Sequence, residues 1–534
     1  MGFSHPTYKP LRPGQDISTT GQILDYAAGT YPSKVGLIYG SQSWTFEELD
    51  GLANQFAHAV IATFPDRDGP VGIIGGNSVE YAIAHFGTAR TGRCTVNIPT
   101  RCSQEDLVHT VNLTKPVVLI VDADCQEIVD AARRRFEVSP LYMSTSERQL
   151  GTQLGFWKFF AGQPKTSPAV AIDPDTGGSV VLTGGTTGRP KAVLSSQRAR
   201  AVSAMAAIED FRVESDQIAG YTVPFTHAAG LYSWFQPPVL AGCAGVVIPK
   251  WDPVLVMQLT ERHGINVIFA VPAQLAILLA PPAFDPERLR PLRRIVIGGA
   301  PLSRVLINRA EAAMPWMFCA RAYGSTETGH LAAQLKSDRD MVYDGFNQPG
   351  GRLEIEIFKE PGVITCEGEI GDVATRGPHL MTGYLDDEEA QNAFFKSDVA
   401  DGQWAWTGDL AVKHNGYFRL VGRSKHMILS GGLNIYPAEL EDILGRHPAV
   451  ADCVVFGMED PTWGELPAAA VVFNGDGADA DAAMEYVAER VARYKRLRKI
   501  FVLDEITRTG AGKAQVDLTP KRCLEMDKDN SLNA

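Results

Sequence analysis

The sequence predicts an α/β protein in which a large N-terminal part of layered sheets and helices is followed by a small C-terminal α+β domain. Three observations predict it. Through the first half, apolar runs of four or five residues alternate with segments of helical period, the pattern of mainly parallel strands joined by crossover helices. From about Asp372 the texture changes to short strands and glycine-containing turns, as at Gly383-Tyr384 and Asn415-Gly416. At 534 residues the chain is too long for one compact core, so two or more domains are expected.

The elements follow in order. Segment 45–61 carries apolar residues at helical spacing behind a Thr45 cap, with Glu48 placed to close a capping box. Val71–Ile74 and 117–121 read as short strands, the second bounded by Pro116 and Asp122. Two more buried-type strands are expected at 179–182 and 293–297. A compact α/β segment starts near Lys425 and runs to about Val516; within it 478–510 is more polar and reads as helical. The last nine residues look like a frayed tail. The most economical division is 1–424 and 425–534.

Composition narrows the function. Apolar residues make up 45% and charged residues 21%, as in an ordinary soluble enzyme. A net charge of −12 argues against a broad nucleic-acid surface, which needs a basic excess to neutralise phosphates. A small anionic ligand is still allowed, because backbone amides and a few placed cations can hold phosphates within an acidic protein. The eight cysteines form no C-x-x-C pair, so neither a zinc site nor a disulfide framework is expected, and free thiols in a reducing cytoplasm are the plain reading. Residues 1–15 lack the apolar core of a signal peptide, Pro6 breaks the myristoylation pattern, and no apolar run is long enough to span a bilayer.

The strand at 179–182 runs straight into Thr183-Gly184-Gly185-Thr186-Thr187-Gly188-Arg189-Pro190-Lys191. Glycines let backbone approach an anion closely, the threonine hydroxyls can donate to phosphate oxygens, and Lys191 supplies charge. The loop does not fit the Walker A spacing. A flexible hairpin is the bland alternative, but hydroxyls on both sides of the glycines, with a proline and a lysine, are not linker chemistry.

This loop resembles the signature of the adenylate-forming superfamily: acyl- and aryl-CoA synthetases, luciferase and the adenylation domains of peptide synthetases. Four further segments carry the likeness: Tyr323-Gly324-Ser325-Thr326-Glu327-Thr328-Gly329, Trp406-Thr407-Gly408-Asp409-Leu410, segment 417–441, and Thr507-Arg508-Thr509-Gly510-Ala511-Gly512-Lys513. In order and at ordinary spacing they cover residues 20 to 516, and the motifs are closest to those of acyl-CoA synthetases. The resemblance implies layered α/β sheets plus a distorted β-barrel, and a mobile C-terminal domain pivoting at Lys425. It implies ATP and Mg²⁺ as cofactors and CoA as the default acyl acceptor.

The residues also make chemical sense by themselves. Joining a carboxylate to the α-phosphate brings two anions together, so cations must offset their repulsion and that of the leaving pyrophosphate. Lys513 is the expected catalytic lysine, with Thr186 and Glu327 beside it. Glu327 is suited to hold Mg²⁺, which takes oxygen ligands and bridges phosphates. Asp409 can accept from both ribose hydroxyls, and Arg423 adds a donor; Val421 lies on the same segment. Gly298, Gly299, Ala300 and Pro301 follow a strand, and the resemblance implies that the adenine ring lies against this backbone. Taken singly, such a Glu, Asp or Lys is usually solvated; the joint pattern carries the assignment.

Pro224-Phe225-Thr226-His227-Ala228-Ala229-Gly230 resembles the wall of the acyl pocket, to which Gly298, Gly324 and Leu331 are also assigned. No Asp stands there to pair with an α-ammonium group, so a non-amino acid is expected. His227 matches a position near the substrate carboxylate; a satisfied core histidine is the alternative. Leu231, Tyr232, Trp234 and Phe235 read equally as pocket or core. Gly431 and Gly432 are the expected thiol channel. The family pattern is broken at Gly184, Ala192, Ile506-Thr507, His426 and Leu433; the last two lie on the segment used for thiol transfer. The leading expectation is a two-step acid–thiol ligase. A specialised adenylating enzyme serving a carrier protein on a separate chain, a luciferase-like oxidase and a non-catalytic binding protein are the other readings.

Overall fold

The computed structural model describes residues 17–65, 69–146, 154–183, 190–280, 282–300, 302–334, 345–350, 353–396, 403–474, 479–508 and 514–532. The first long helix, Phe46–Thr63, starts where its cap directs. Thr45 accepts from the Glu48 amide and Glu48 accepts from the Thr45 amide, which satisfies two donors of the open first turn.

Among the described residues the strands gather into three sheets. One is built on the parallel strands Val71–Ile74, Thr95–Ile98, Val118–Val121 and Gly177–Thr183, and all four β-branched or apolar runs are buried on both faces. At its edge Lys191–Ser196 returns antiparallel to Gly177–Thr183, so the phosphate loop is the connection of a hairpin whose last paired residues are Thr183 and Lys191. The larger sheet has a parallel half that includes Ile218–Tyr221, Val267–Ala270, Arg294–Ile297 and Phe318–Ser325, then an antiparallel half. The strands expected to curl into a distorted barrel form, among the described residues, an open run continuous with this sheet. Gly329–Gln334 makes the junction by pairing with Phe318–Ser325 on one side and Phe346–Pro349 on the other.

Between the two large sheets lies an aromatic core. Tyr221, Phe225, Trp234 and Phe235 are each at most 1% exposed, and the Trp234 indole N–H donates to the Gly220 carbonyl at 2.9 Å. Each such ring contributes roughly 1.5–3 kcal/mol by leaving water. The third sheet takes its strands from Ile428–Ser430, Leu433–Ile435, Val450–Asp460, Gly464–Phe473 and Lys499–Val502. No helix among the described residues is long and apolar enough to cross a membrane.

Three local expectations are corrected. Gly383-Tyr384 is no turn: Gly383–Leu385 is an edge strand paired with Ala192–Leu194. The glycine serves a close approach, since a Cβ there would meet the Gln391 side-chain oxygen at 2.1 Å. Among its described residues, segment 478–510 holds the α-helix Ala480–Ala488, a single 3-10 turn at Arg493–Lys495, and then the strand Lys499–Val502, which pairs parallel with Gly464–Phe473. Of the expected frayed tail, residues 526–532 continue the helix Thr519–Leu532, which packs through Cys523, ahead of that tail, with Phe501, Leu503 and Ile506.

Candidate active site

The strands Phe318–Ser325 and Gly329–Gln334 turn on Thr326, Glu327 and Thr328. Two reciprocal bonds close the turn: the Ser325 amide donates to Thr328 Oγ1 at 3.1 Å and the Thr328 amide to Ser325 Oγ at 3.2 Å. Tyr323, at the end of the incoming strand, donates its hydroxyl to Asp409 Oδ2 at 2.8 Å, and Arg423 Nε donates to Asp409 Oδ1 at 2.9 Å. Asp409 and Arg423 face each other as a register pair of adjacent antiparallel strands. Asp409 is 8% exposed, and each of its oxygens keeps a second lone pair for a ligand hydroxyl. Burial first, and then the Asp409 charge, push the Tyr323 phenol well above its usual range, so it remains a donor. The same carboxylate holds the Arg423 guanidinium more firmly protonated.

A second cluster forms at the phosphate end. The Tyr384 hydroxyl donates to Glu327 Oε1 at 2.9 Å, and the Met381 amide donates to the Glu327 carbonyl at 2.8 Å. Lys191 Nζ lies 3.1 Å from Asp387 Oδ2 and 5.2 Å from the centre of the Tyr384 ring. Asp387 is fixed because it caps the Glu388–Phe394 helix through the Ala390 amide. Burial, and next the Glu327 charge, raise the Tyr384 phenol. Glu327 sits on the turn that ends the strand carrying Tyr323, so the two clusters adjoin. Tyr384 and Asp387 escaped the sequence reading. Asp387 before Glu388-Glu389 is a legible helix cap, but nothing local marks Tyr384 as a partner of Glu327.

Other expected residues fall as follows. Gly298, Gly299 and Ala300 follow the C-terminal end of Arg294–Ile297, beside the strand that carries Tyr323; the C-terminal ends of parallel strands are where α/β sheets bind ligands. Val421 is half-buried on the Arg423 strand. His227 is half-buried at the start of a short helix, between Thr226 and Ala228, which are 1% and 6% exposed. Leu231, Tyr232, Trp234 and Phe235 are all core. Leu331 is fully buried in a separate cluster with Ala206, Leu353 and Phe418, so its side chain serves packing there. Gly184, Gly185, Thr186, Thr187, Gly188, Pro301 and Lys513 lie outside the described residues.

Lys425 lies in the Ser424–His426 turn that joins the large sheet to the third one. Its Nζ is 3.6 Å from Asp517 Oδ2, and His426 Nε2 is 3.3 Å from Asp517 Oδ1. Gly431 and Gly432 form the two-residue turn between Ile428–Ser430 and Leu433–Ile435, with φ of 57° and 80°. Both values are left-handed, as the preferred hairpin turn requires. A Cβ on Gly431 would meet the Trp463 ring at 2.7 Å, whereas one on Gly432 would meet nothing within 4 Å.

Among the described residues no group of three or more His, Cys, Asp or Glu could hold a metal by itself. Mg²⁺ that keeps waters and bridges phosphate oxygens needs only one or two carboxylates. Glu327 fits that demand: one oxygen is oriented by Tyr384, and the other accepts no hydrogen bond among the described residues.

Comparison with known proteins agrees with this geometry. Residues 24–385 match the family model described as AMP-binding enzyme, and residues 439–513 match the AMP-binding enzyme C-terminal domain. An indoleacetate–CoA ligase of Aromatoleum aromaticum is 31% identical over 92% of this chain and 96% of its own length. A feruloyl-CoA synthase of an Amycolatopsis species is 28% identical over 90% and 94%. The crystal structure of the anthranilate CoA ligase AuaEII in complex with anthranoyl-AMP superposes with a TM-score of 0.85 at 23% identity, covering 95% of this chain and 97% of that one.

Proposed function

The chain belongs to the AMP-binding enzyme family and is an adenylate-forming acid–thiol ligase, and we propose that its acid is an aryl-substituted, non-amino carboxylic acid handled by the residues assembled above. The enzyme activates the acid as an acyl-AMP and transfers the acyl group to CoA. The observation that carries the assignment of the site is the Asp409 carboxylate held between Tyr323 and Arg423, with Glu327 on the adjoining turn.

In this reading the ribose hydroxyls of ATP donate to the free lone pairs of Asp409 while Arg423 donates to the sugar. The adenine ring lies along Gly298, Gly299 and Ala300. Lys191 exchanges Asp387 for the nucleotide phosphates, assisted by the hydroxyls of Thr183, Thr186 and Thr187. Glu327 would hold Mg²⁺, whose charge would offset that of the phosphates. His227 orients the substrate carboxylate, one of whose oxygens attacks the α-phosphorus; the bond to the bridging oxygen breaks and pyrophosphate leaves with its electron pair. Lys513 offsets the charge that grows in that transition state. The domain 425–534 then turns about Lys425, and the CoA thiol, its proton lost to solvent, attacks the acyl carbon along the channel lined by Gly431 and Gly432; the bond from that carbon to the phosphate oxygen breaks and AMP leaves with the electron pair. The setting is the cytoplasm.

An aryl acid is supported by the aromatic acids named for the indoleacetate and ferulate relatives, and a non-amino acid by the absence of an acidic residue around His227. Pyrophosphate release should be measured across aryl alkanoates, fatty acids and α-amino acids, each with CoA and with a carrier protein. Aryl alkanoates are expected to give the highest kcat/KM. A fatty acid or an α-amino acid that outperforms every aryl acid would overturn the assignment.

A further inference from the structure

The helix Gln197–Phe211 follows directly on Lys191–Ser196, the strand that leaves the phosphate loop, and Ser196 caps it by accepting from the Ala199 amide at 3.1 Å. Residues 200, 203 and 210 fall on one helical face, at spacings of three and seven. All three reach the strand–turn–strand unit that carries Glu327. Asp210 Oδ2 lies 2.7 Å from His330 Nε2, and Ser203 Oγ accepts from the His330 amide at 3.0 Å. Arg200 Nη1 donates to the Thr326 carbonyl at 3.3 Å and Nε donates to Ser179 Oγ at 2.9 Å, and the guanidinium lies 4.2 Å from the centre of the Tyr232 ring.

Arg200 is the unexpected member of this face. It is 2% exposed, and among the described residues its Nη2 has no hydrogen-bond partner and no carboxylate lies within ion-pair distance of it. Burying a guanidinium in this way is costly, and an apolar side chain at the same place on the helix would avoid the cost. The groups whose negative charge favours the guanidinium are Tyr232, Cys94 and Glu327, and of these the Cys94 thiol is itself pushed up to about 12 by burial and the Tyr232 phenol is raised too. Glu327, the residue next to the Thr326 carbonyl that Arg200 holds, is therefore the carboxylate whose charge favours the buried guanidinium.

We propose that Arg200 is a positioning residue for the adenylation step, holding the peptide plane between Thr326 and Glu327 and steadying the Glu327 carboxylate towards the nucleotide phosphates. The proposal rests on the reading of Glu327 given above. It makes the helix a rigid link between the strand Lys191–Ser196 and the Glu327 turn, so that the two keep a fixed separation.

The test uses the full chain as Arg200→Met, Arg200→Lys and Glu327→Gln. Three quantities are read: ATP–pyrophosphate exchange, thioester formation from supplied acyl-AMP, and the rise in melting temperature on adding ATP with Mg²⁺ compared with ATP and EDTA. Arg200→Met is expected to lower the exchange kcat about tenfold or more and to lose most of the Mg²⁺-dependent rise, with transfer from acyl-AMP within about twofold of wild type. Arg200→Lys keeps the charge and should recover exchange to within about threefold of wild type. A folded Arg200→Met with wild-type exchange, or with both half-reactions reduced in parallel, overturns the proposal. If Arg200→Met does not fold, the neutral polar variant Arg200→Gln takes its place: selective loss of exchange supports the proposal, and wild-type exchange or parallel loss overturns it. An impaired Glu327→Gln beside an unimpaired Arg200→Met removes the proposal alone. Wild-type exchange in Glu327→Gln removes the reading of Glu327 and the proposal with it.

Discussion

Replacing Tyr384 by Phe removes one hydroxyl and leaves the ring. The lost contact is a 2.9 Å hydrogen bond to the Glu327 carboxylate. A bond to an ionised group contributes about 1.5–3 kcal/mol when it is shielded from water. Tyr384 is only half-buried, so water recovers part of that, and a net loss of about 1–2 kcal/mol is expected. If the bond orients Glu327 for the phosphates, adenylation should slow roughly 5- to 30-fold. The ring still offers its face to Lys191 at 5.2 Å and its edge to Phe394 at 6.4 Å, so the fold and the Lys191–Asp387 pair should survive. The assay is ATP–pyrophosphate exchange with the cognate acid, set beside thioester formation from supplied acyl-AMP. Exchange should fall while transfer holds. Exchange within twofold of wild type, or an equal loss in both assays, would refute the role given to Tyr384.

Lys513→Ala should lose about 3–4 kcal/mol of transition-state stabilisation, a few hundred-fold or more in adenylation, and spare transfer from acyl-AMP; near-normal pyrophosphate exchange would count against it. Gly432→Leu meets open space but forces a left-handed residue at a strain of about 1–2 kcal/mol, so Gly432→Asn, which tolerates that conformation, is the control. Single-turnover assays should show acyl-AMP formation preserved in both variants and thioester formation slowed at least about tenfold in the Leu variant alone. Glu441, whose carboxyl burial pushes up from 4.5 to about 7, makes the small domain pH-sensitive. Below pH 4.5 the group is protonated both folded and unfolded. Between 4.5 and 7 the unfolded chain releases a proton that the folded chain keeps, so stability falls as pH rises, and above pH 7 the loss is complete. Glu441→Gln should therefore raise the stability of that domain by roughly 1–3 kcal/mol at pH 8 and hardly at all at pH 4.5, and thermal melts at the two pH values check it.

Asp409, Arg423, Tyr323 and Glu327 could be singled out because each stands in a short contiguous motif, and the fold brings them together. Tyr384 was not, because its partner Glu327 is 57 residues away and the contact exists only once the edge strand has paired. The same cause misled the reading of Gly383-Tyr384 as a turn: the dipeptide is compatible with either state and tertiary pairing decides. Leu231, Tyr232, Trp234 and Phe235 read as pocket or core because apolar composition is identical in both, and only their burial in one cluster distinguishes them. Polar composition suggested a frayed C-terminus, yet one buried face around Cys523 is enough to dock the helix Thr519–Leu532. Nothing in the sequence marks Arg200 as enclosed, since sequence does not tell which face of an alanine-rich helix is buried.

The most direct test of the two-step ligase is a rapid-quench single turnover on the wild-type chain with ATP, Mg²⁺ and an aryl acid, following acyl-AMP, pyrophosphate, AMP and thioester together. Without CoA, acyl-AMP and pyrophosphate should appear in step and stop at one equivalent per site; on adding CoA, acyl-AMP should decay as thioester and AMP rise at the same rate. Release of ADP and phosphate in place of pyrophosphate, or acyl-AMP that persists unchanged in the presence of CoA, would contradict the account.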